Sequence, residues 1–211
     1  MTILGIDPGS VVTGYGVVAC HNRKNRLVTC GFLKPDAKLP FAQRLLKIYD
    51  GLLALVADVA PDEVAVEATF YGANVQTLMK MCHARGAILL ALANSDLPIF
   101  EYSPREVKKS VVGRGGASKE QVQFMVQRIF GMDRLPDTYD VTDAVAIALC
   151  HANRRTLPAG NGTRRKNDLE AKLKAEGAYE GRSNRLNEKL KALGVDPKSR
   201  TLQGKSRRRG R

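Results

Sequence analysis

Apolar positions along the first three quarters of the chain switch between a period of two and a period of 3.6, and the switches lay out the elements. Thr2 to Asp7 alternates weakly and stops at Asp7-Pro8-Gly9, and Gly14 to Cys20 and Leu27 to Leu33 follow as two further β-rich runs between short polar turns. Three strands in a meander are predicted. After Pro40, Phe41, Leu45, Ile48, Leu52 and Val56 recur at helical spacing as far as Pro61, and Val64-Ala65-Val66 then predicts a buried strand. Residues 73 to 94 are again helical in pattern, Pro98 to Tyr102 is a short strand, and Pro104 to Val112 and Ser118 to Phe130 are helices flanking the loop Gly113-Arg114-Gly115-Gly116. A very apolar helix, Val141 to His151, follows.

A β-meander followed by alternating helices and strands specifies the α/β class: a five-stranded mixed sheet with helices on both faces, strands 1 and 4 being joined by a crossover. From Thr156 the pattern fails. Only one aromatic remains (Tyr179), Gly, Lys and Arg accumulate, and leucines keep a local helical rhythm in Asp168 to Ala175 and Asn184 to Leu193. The expected division is therefore a folded body over residues 1–155 and a basic, partly helical or disordered tail over 156–211.

Charge sharpens that division. Of 34 Lys plus Arg and 21 Asp plus Glu in 211 residues, 16 and 6 fall in residues 156–211, so the tail carries +10 of the formal +13 and the body +3. A polyanionic partner such as DNA is expected for the tail. No run approaches the 18 or more apolar residues of a membrane span, and Met1 leads into Ile3-Leu4-Gly5-Ile6 without a basic leader, so a cytoplasmic protein with no membrane partner is expected. The cysteines at 20, 30, 82 and 150 form neither a CxxC pair nor a zinc spacing and are expected to be reduced thiols in apolar surroundings.

Chemistry concentrates at the ends of elements. Asp7 closes strand 1 and Glu67 closes strand 4; if these strands are parallel neighbours, both carboxylates emerge at the carboxyl edge of the sheet, where α/β folds place ligand sites. Asp140 and Asp143, at i and i+3, share one face at the head of the last helix. The plainer reading makes Asp-Pro-Gly a turn, Asp140 an N-cap and Asp143 a complement to the helix dipole. Four oxygen-ligand residues without a convergent His or Cys suit Mg²⁺ or Mn²⁺, and two such ions about 3.5 to 4 Å apart would activate a water and stabilise the leaving oxygen in phosphodiester hydrolysis.

Lys108, Lys109, Arg114 and Lys119 bracket the glycine-rich loop, either as a solvated surface or, opposite a carboxylate site, as phosphate ligands. Phe70-Tyr71-Gly72 fits a core corner or a stacking wedge equally. The stripe Val75, Leu78, Met79, Cys82 is expected to pack in the core, and His21, His83 and His151 are scattered and expected to be structural.

Gly5-Ile6-Asp7-Pro8-Gly9-Ser10 with Thr13-Gly14-Tyr15-Gly16, Val66-Glu67 with Phe70, Val111-Val112-Gly113, and Asp140 and Asp143 ahead of Ala144 to Leu149 together resemble the RuvC family of Holliday-junction resolvases, in order and spacing, over residues 1 to about 152. The resemblance implies a ribonuclease H-like fold, a homodimer formed through the helix after Phe70, two Mg²⁺ ions per subunit, symmetric nicking of four-way DNA junctions in recombination and repair, and association with the RuvA and RuvB branch-migration proteins. By position it makes Asp7, Glu67, Asp140 and Asp143 the acidic tetrad, Lys108 and Lys119 the basic residues beside it, with Lys119 also catalytic, and Phe70 an aromatic contacting junction bases. The tail after Arg155 departs from the family. Two other functions compete. An actin-like or sugar-kinase-like ATPase shares the Gly-Ile-Asp-Pro-Gly-Ser turn but needs a second half that a body of about 150 residues lacks. A non-enzymatic nucleic-acid-binding protein acting through its tail leaves the four acidic positions unexplained.

Overall fold

β1 (Thr2–Asp7), β2 (Thr13–His21) and β3 (Lys24–Leu33) form the antiparallel meander, with Asp7 opposite Gly14 where the first two strands meet. The computed structural model describes residues 1–22, 24–68, 74–132 and 138–156; Phe70 and the tail, including its two leucine-bearing segments, lie outside the described residues. The chain divides into the units Met1–Gly160 and Asn161–Arg211, and every described residue belongs to the first.

The meander is longer than its apolar pattern. Pairing of β2 with β3 continues to His21 and Lys24, with Asn22 at a φ of 49°, a left-handed turn conformation that asparagine tolerates. Lys24, Asn25 and Arg26 escape an apolar pattern because β3 is an edge strand.

α1 (Phe41–Val59) carries the chain back to β4 (Glu63–Glu67), which lies parallel to β1 with Ile6 opposite Val66. α2 (Val75–Asn94) leads to β5 (Ile99–Tyr102), parallel to β4 at the other edge, giving the strand order β3-β2-β1-β4-β5. α3 (Pro104–Val112), α4 (Lys119–Phe130) and α5 (Tyr139–Thr156) complete the unit. Leu4, Ile6, Val64 and Val66 pack with α1 and α2 on one face of the sheet, whereas Ile3, Ala65 and Tyr102 pack with α3, α4 and α5 on the other.

The α3–α4 pair is tightly specified. Each helix opens with a capping box, Ser103 with Glu106 and Ser118 with Gln121, and each closes on a glycine in the left-handed region, Gly113 and Gly131. Such N-caps contribute on the order of 1 kcal/mol each, and they fix where Lys108 and Lys119 leave their helices.

α5 rests directly on the sheet because three strand residues lack a Cβ. A methyl on Gly14 would collide with the Asp140 carbonyl, one on Gly5 with the Ala144 carbonyl, and one on Gly16 would lie 2.8 Å from Val145 Cα. The helix runs from Tyr139 to Thr156, beyond the apolar span Val141 to His151 at both ends, and polar residues anchor its last turns. Asn153 binds Asn25 and Ser110, and Arg154 binds Glu106. No helix among the described residues is long and apolar enough to cross a membrane.

Two expectations fail. Val75, Met79 and Cys82 do not pack in the core: they lie exposed along α2, whose buried positions are Ala84, Ile88, Ala91 and Leu92. Helical periodicity marks an apolar stripe without saying what covers it. The four cysteines are all free, but only Cys150 is buried, Cys20 and Cys30 are half-buried and Cys82 is exposed.

Candidate active site

Parallel pairing of β1 with β4 brings Asp7 and Glu67 side by side at the carboxyl edge of the sheet. The glycine-permitted approach of α5 brings its first turn to the same edge, and with it Asp140 and Asp143. Asp140 is the second residue of the helix, not its N-cap. All four carboxylates line a single cavity of about 520 Å³, together with the loop Pro8 to Val12, Thr77 and Met81 of α2, Lys108 of α3 and Lys119 of α4.

The basic residues predicted around the glycine loop separate. Lys108 and Lys119 face the cavity; Lys109 and Arg114 are exposed and do not line it. Lys119 Nζ lies 3.1 Å from Asp143 Oδ2 and 5.9 Å from the centre of the Tyr139 ring. As the first residue of α4 it places a cation at the positive end of a helix, an unfavourable position by itself, which Asp143 offsets.

The carboxylates are held at an electrostatic cost. Burial pushes Asp7 well above the ordinary carboxylate range, and the negative charges of Glu67, Asp143 and Asp140 push it further, while Lys119 opposes them. Glu67 is raised by burial and by Asp143, against the lowering effects of its hydrogen bond with Asp7 and of Lys119 and Lys108. Asp143 is raised by burial, against the charge and hydrogen bond of Lys119, with Asp140 adding to the rise. Burial alone would lower Lys119, but Asp143, Asp7 and Asp140 outweigh it and hold the ammonium above its usual value. Four carboxylates against two ammonium groups leave a net negative cavity. Among the described residues no three Asp, Glu, His or Cys side chains close into a ready-made metal cage. An open, all-oxygen set still fits Mg²⁺, which keeps several of its waters and takes few protein ligands.

Sequence reasoning missed the residues that shape the wall of the cavity. The Arg44 guanidinium on α1 donates to the Ser10 carbonyl, and Thr13 Oγ1 donates to the Gly9 carbonyl at 2.9 Å, so the loop after Asp7 is held from two sides. Capping-box spacing was legible at Ser103 and Ser118; nothing local marks Arg44 or Tyr139. Among the histidines, His21 and His83 are exposed, whereas His151 is buried.

A family model described as crossover junction endodeoxyribonuclease RuvC matches residues 3–151. The protein of that name from Chlorobium phaeovibrioides is 48% identical over 151 residues, covering 71% of this chain and 80% of that protein. The one from Desulforamulus reducens is 44% identical over 152 residues, covering 72% and 93%. The solved structure of T. thermophilus RuvC in complex with Holliday junction substrate superposes with a TM-score of 0.69 at 35% identity, over 74% of this chain and 94% of that one. The yeast mitochondrial Holliday junction resolvase, at 14% identity and a TM-score of 0.56 over 72% and 77%, shares the fold. A family match across nearly the whole described unit, on a five-stranded sheet whose carboxyl edge gathers four carboxylates, places this chain in the crossover junction endodeoxyribonuclease RuvC family, with its ribonuclease H-like fold.

Proposed function

We propose that the chain is a structure-specific endonuclease that resolves four-way DNA junctions by paired, symmetric nicks, as a homodimer in which each subunit cuts one strand. The observation that carries this reading is the convergence of Asp7, Glu67, Asp140 and Asp143 with Lys108 and Lys119 on one cavity, in a chain of the RuvC family.

The donor set is all oxygen, and the raised Asp7, Glu67 and Asp143 carry a mutual repulsion that a hard divalent cation relieves. These residues and Asp140 would hold Mg²⁺, with Mn²⁺ as a substitute and two ions per subunit. When bound, the ions supply a water of lowered pKa and charge stabilisation at the departing oxygen. The protein's own part is positioning. Asp7 and Glu67 are fixed by adjacent strand ends and Asp140 and Asp143 by one helical turn, so the site is built on rigid elements. Lys119 orients Asp143 through its 3.1 Å contact and, with Lys108, draws the scissile phosphate toward the carboxylates and stabilises the charge that develops on it. Phe70, three residues after Glu67, is assigned to stacking on junction bases, and Arg114 to the DNA backbone.

Dimerisation is supported by α2, where Val75, Met79, Cys82, Gly86 and Leu90 form one exposed stripe; Val75, Met79 and Leu90 are 60%, 55% and 63% exposed. The RuvA and RuvB branch-migration proteins are the partners, and the cytoplasm the compartment, that go with this reading.

The test offers the full chain a labelled four-way junction and a linear duplex of the same sequences, with Mg²⁺ or with a chelator. Symmetric nicks in the junction alone, only with Mg²⁺, are expected. Equal cutting of both substrates, or none of either, would overturn the reading.

A further inference from the structure

Toward the carboxyl edge α5 meets the sheet through small groups: Ala144 and Ala148 over Gly5, Val145 over Gly16, and the Asp140 backbone over Gly14. Such a surface permits close approach but offers few protruding side chains to stop the helix sliding along its own axis. The site nevertheless requires Asp143 to stay level with Glu67 across that smooth contact.

The buried polar contact along this helix lies at its other end. His151 is 1% exposed, with Nε2 2.7 Å from Glu63 Oε2, Nδ1 2.6 Å from the Tyr102 hydroxyl, and the Phe100 ring 4.3 Å away centre to centre. Both ring nitrogens are used when Nε2–H donates to the carboxylate and Nδ1 accepts from the hydroxyl. Burial lowers the imidazole pKa, against the pull of Glu63, which agrees with a neutral ring in that tautomer.

The two partners grip the ring from opposite directions. Glu63 opens β4, whereas Tyr102 closes β5 and is in register with Glu67 at the carboxyl edge. Sliding α5 toward the edge opens the Glu63 bond, and sliding it away opens the Tyr102 bond. Spans also match: four strand steps separate Glu63 from Glu67, about 13 Å, and eight helix steps separate His151 from Asp143, about 12 Å. α5 runs antiparallel to β4, since Asp140 lies at the carboxyl edge and Asn153 reaches Asn25 at the opposite end. With His151 held between Glu63 and Tyr102, Asp143 comes level with Glu67.

We propose that His151 is a positioning residue, whose buried bonds to Glu63 and Tyr102 set the register of α5 on the sheet and so hold Asp140 and Asp143 opposite Asp7 and Glu67 for the divalent cation. The inference rests on the metal-dependent nuclease reading, and its primary measurement is made without DNA.

Mn²⁺ binding to the full chain, followed by the electron paramagnetic resonance of free Mn²⁺, is compared for His151→Leu, His151→Gln and Tyr102→Phe well below each variant's melting temperature. His151→Leu and Tyr102→Phe are expected to bind Mn²⁺ about tenfold more weakly, the size of effect seen when groups supporting metal ligands are removed. The concentration of Mg²⁺ needed for half-maximal junction cleavage should rise in parallel, and junction affinity in a chelator should stay unchanged. His151→Gln, whose amide can donate to Glu63 and accept from Tyr102, should recover much of the loss. Arg128→Ala, which removes an exposed cation of α4 lying over the Phe124 ring, should bind Mn²⁺ as the wild type does. If His151→Leu fails to fold, Tyr102→Phe, which removes one hydroxyl, carries the test. Mn²⁺ binding unchanged in the folded variants, however far their melting temperatures drop, would overturn the positioning role. A wild-type chain that neither binds Mn²⁺ nor cuts junctions would overturn the nuclease reading itself.

Discussion

Asp7 shows how a single residue trades stability for a site. Its carboxyl is raised by burial and by three neighbouring carboxylates, so between the ordinary value of 3.8 and its raised folded value the native chain binds more protons than the unfolded one. Stability therefore falls as pH rises through that window, and above it the metal-free fold carries the whole penalty. Asp7→Asn removes the charge at nearly constant shape. In a chelator at neutral pH this variant should melt higher than the wild type, by about 2–4 °C for each kcal/mol relieved, and the gap should close as pH falls below the ordinary carboxylate value. Calorimetric melts across pH 3 to 8 decide it, and a gap that ignores pH would remove the electrostatic explanation. The same variant should abolish cleavage. At this scale the sequence was informative where a charged residue directly follows a buried strand, as Asp7 and Glu67 do, because only a constrained position keeps a carboxylate there. It was uninformative for Arg44 and His151, whose importance lies in partners 34 and 88 residues away.

Among the elements, α5 and the glycines beneath it decide whether four separate carboxylates become one site. The Gly14-Tyr15-Gly16 sequence identifies a strand after a turn, but the reason for its glycines appears only once a helix is known to lie over them. Gly14→Ala should lift the first turn of α5, because the new methyl meets the Asp140 carbonyl and no side chain stands between them to yield. A loss of about 1–3 kcal/mol is expected from such overpacking, together with a fall in cleavage that persists at temperatures where the variant is fully folded. Gly116→Ala is the matched control, since nothing lies within 4 Å of the position its Cβ would take. Equal melting temperatures for the two variants would show that α5 yields freely at its head. Element order and type were legible because the long helices are periodic and the shorter apolar runs between them stop at turn residues such as Pro8-Gly9 and Pro61. The ends of α5 and the start of β3 were not, since the last turns of the one and the first residues of the other are held by polar bonds that leave no periodicity.

For the molecule as a whole, the α2 stripe and the tail are features whose meaning lies outside the described unit. An apolar helical stripe looks the same in sequence whether its own core or a second copy covers it, so periodicity assigns Val75, Met79 and Cys82 to the core, whereas the fold leaves them exposed. Met79→Glu should convert a dimer to a monomer in light scattering at micromolar concentration and uncouple the paired nicks without unfolding the chain; an unchanged mass would move the interface elsewhere. The tail is a question of charge. Sixteen cations and six anions follow Thr156, enough to engage a DNA backbone without reading its sequence. Each phosphate neutralised contributes about −0.9 to the slope of log K against log salt on duplex DNA, so removing residues 157–211, which leaves α5 whole, should flatten that slope by several units if several phosphates are engaged. Affinity should drop most at low salt, whereas the Mg²⁺-dependent junction cleavage proposed for residues 7 to 143 should survive at saturating junction. A truncated chain with the wild-type salt slope on plain duplex would show that these cations do not meet DNA and would turn attention to a protein partner for the leucines of 168–175 and 184–193.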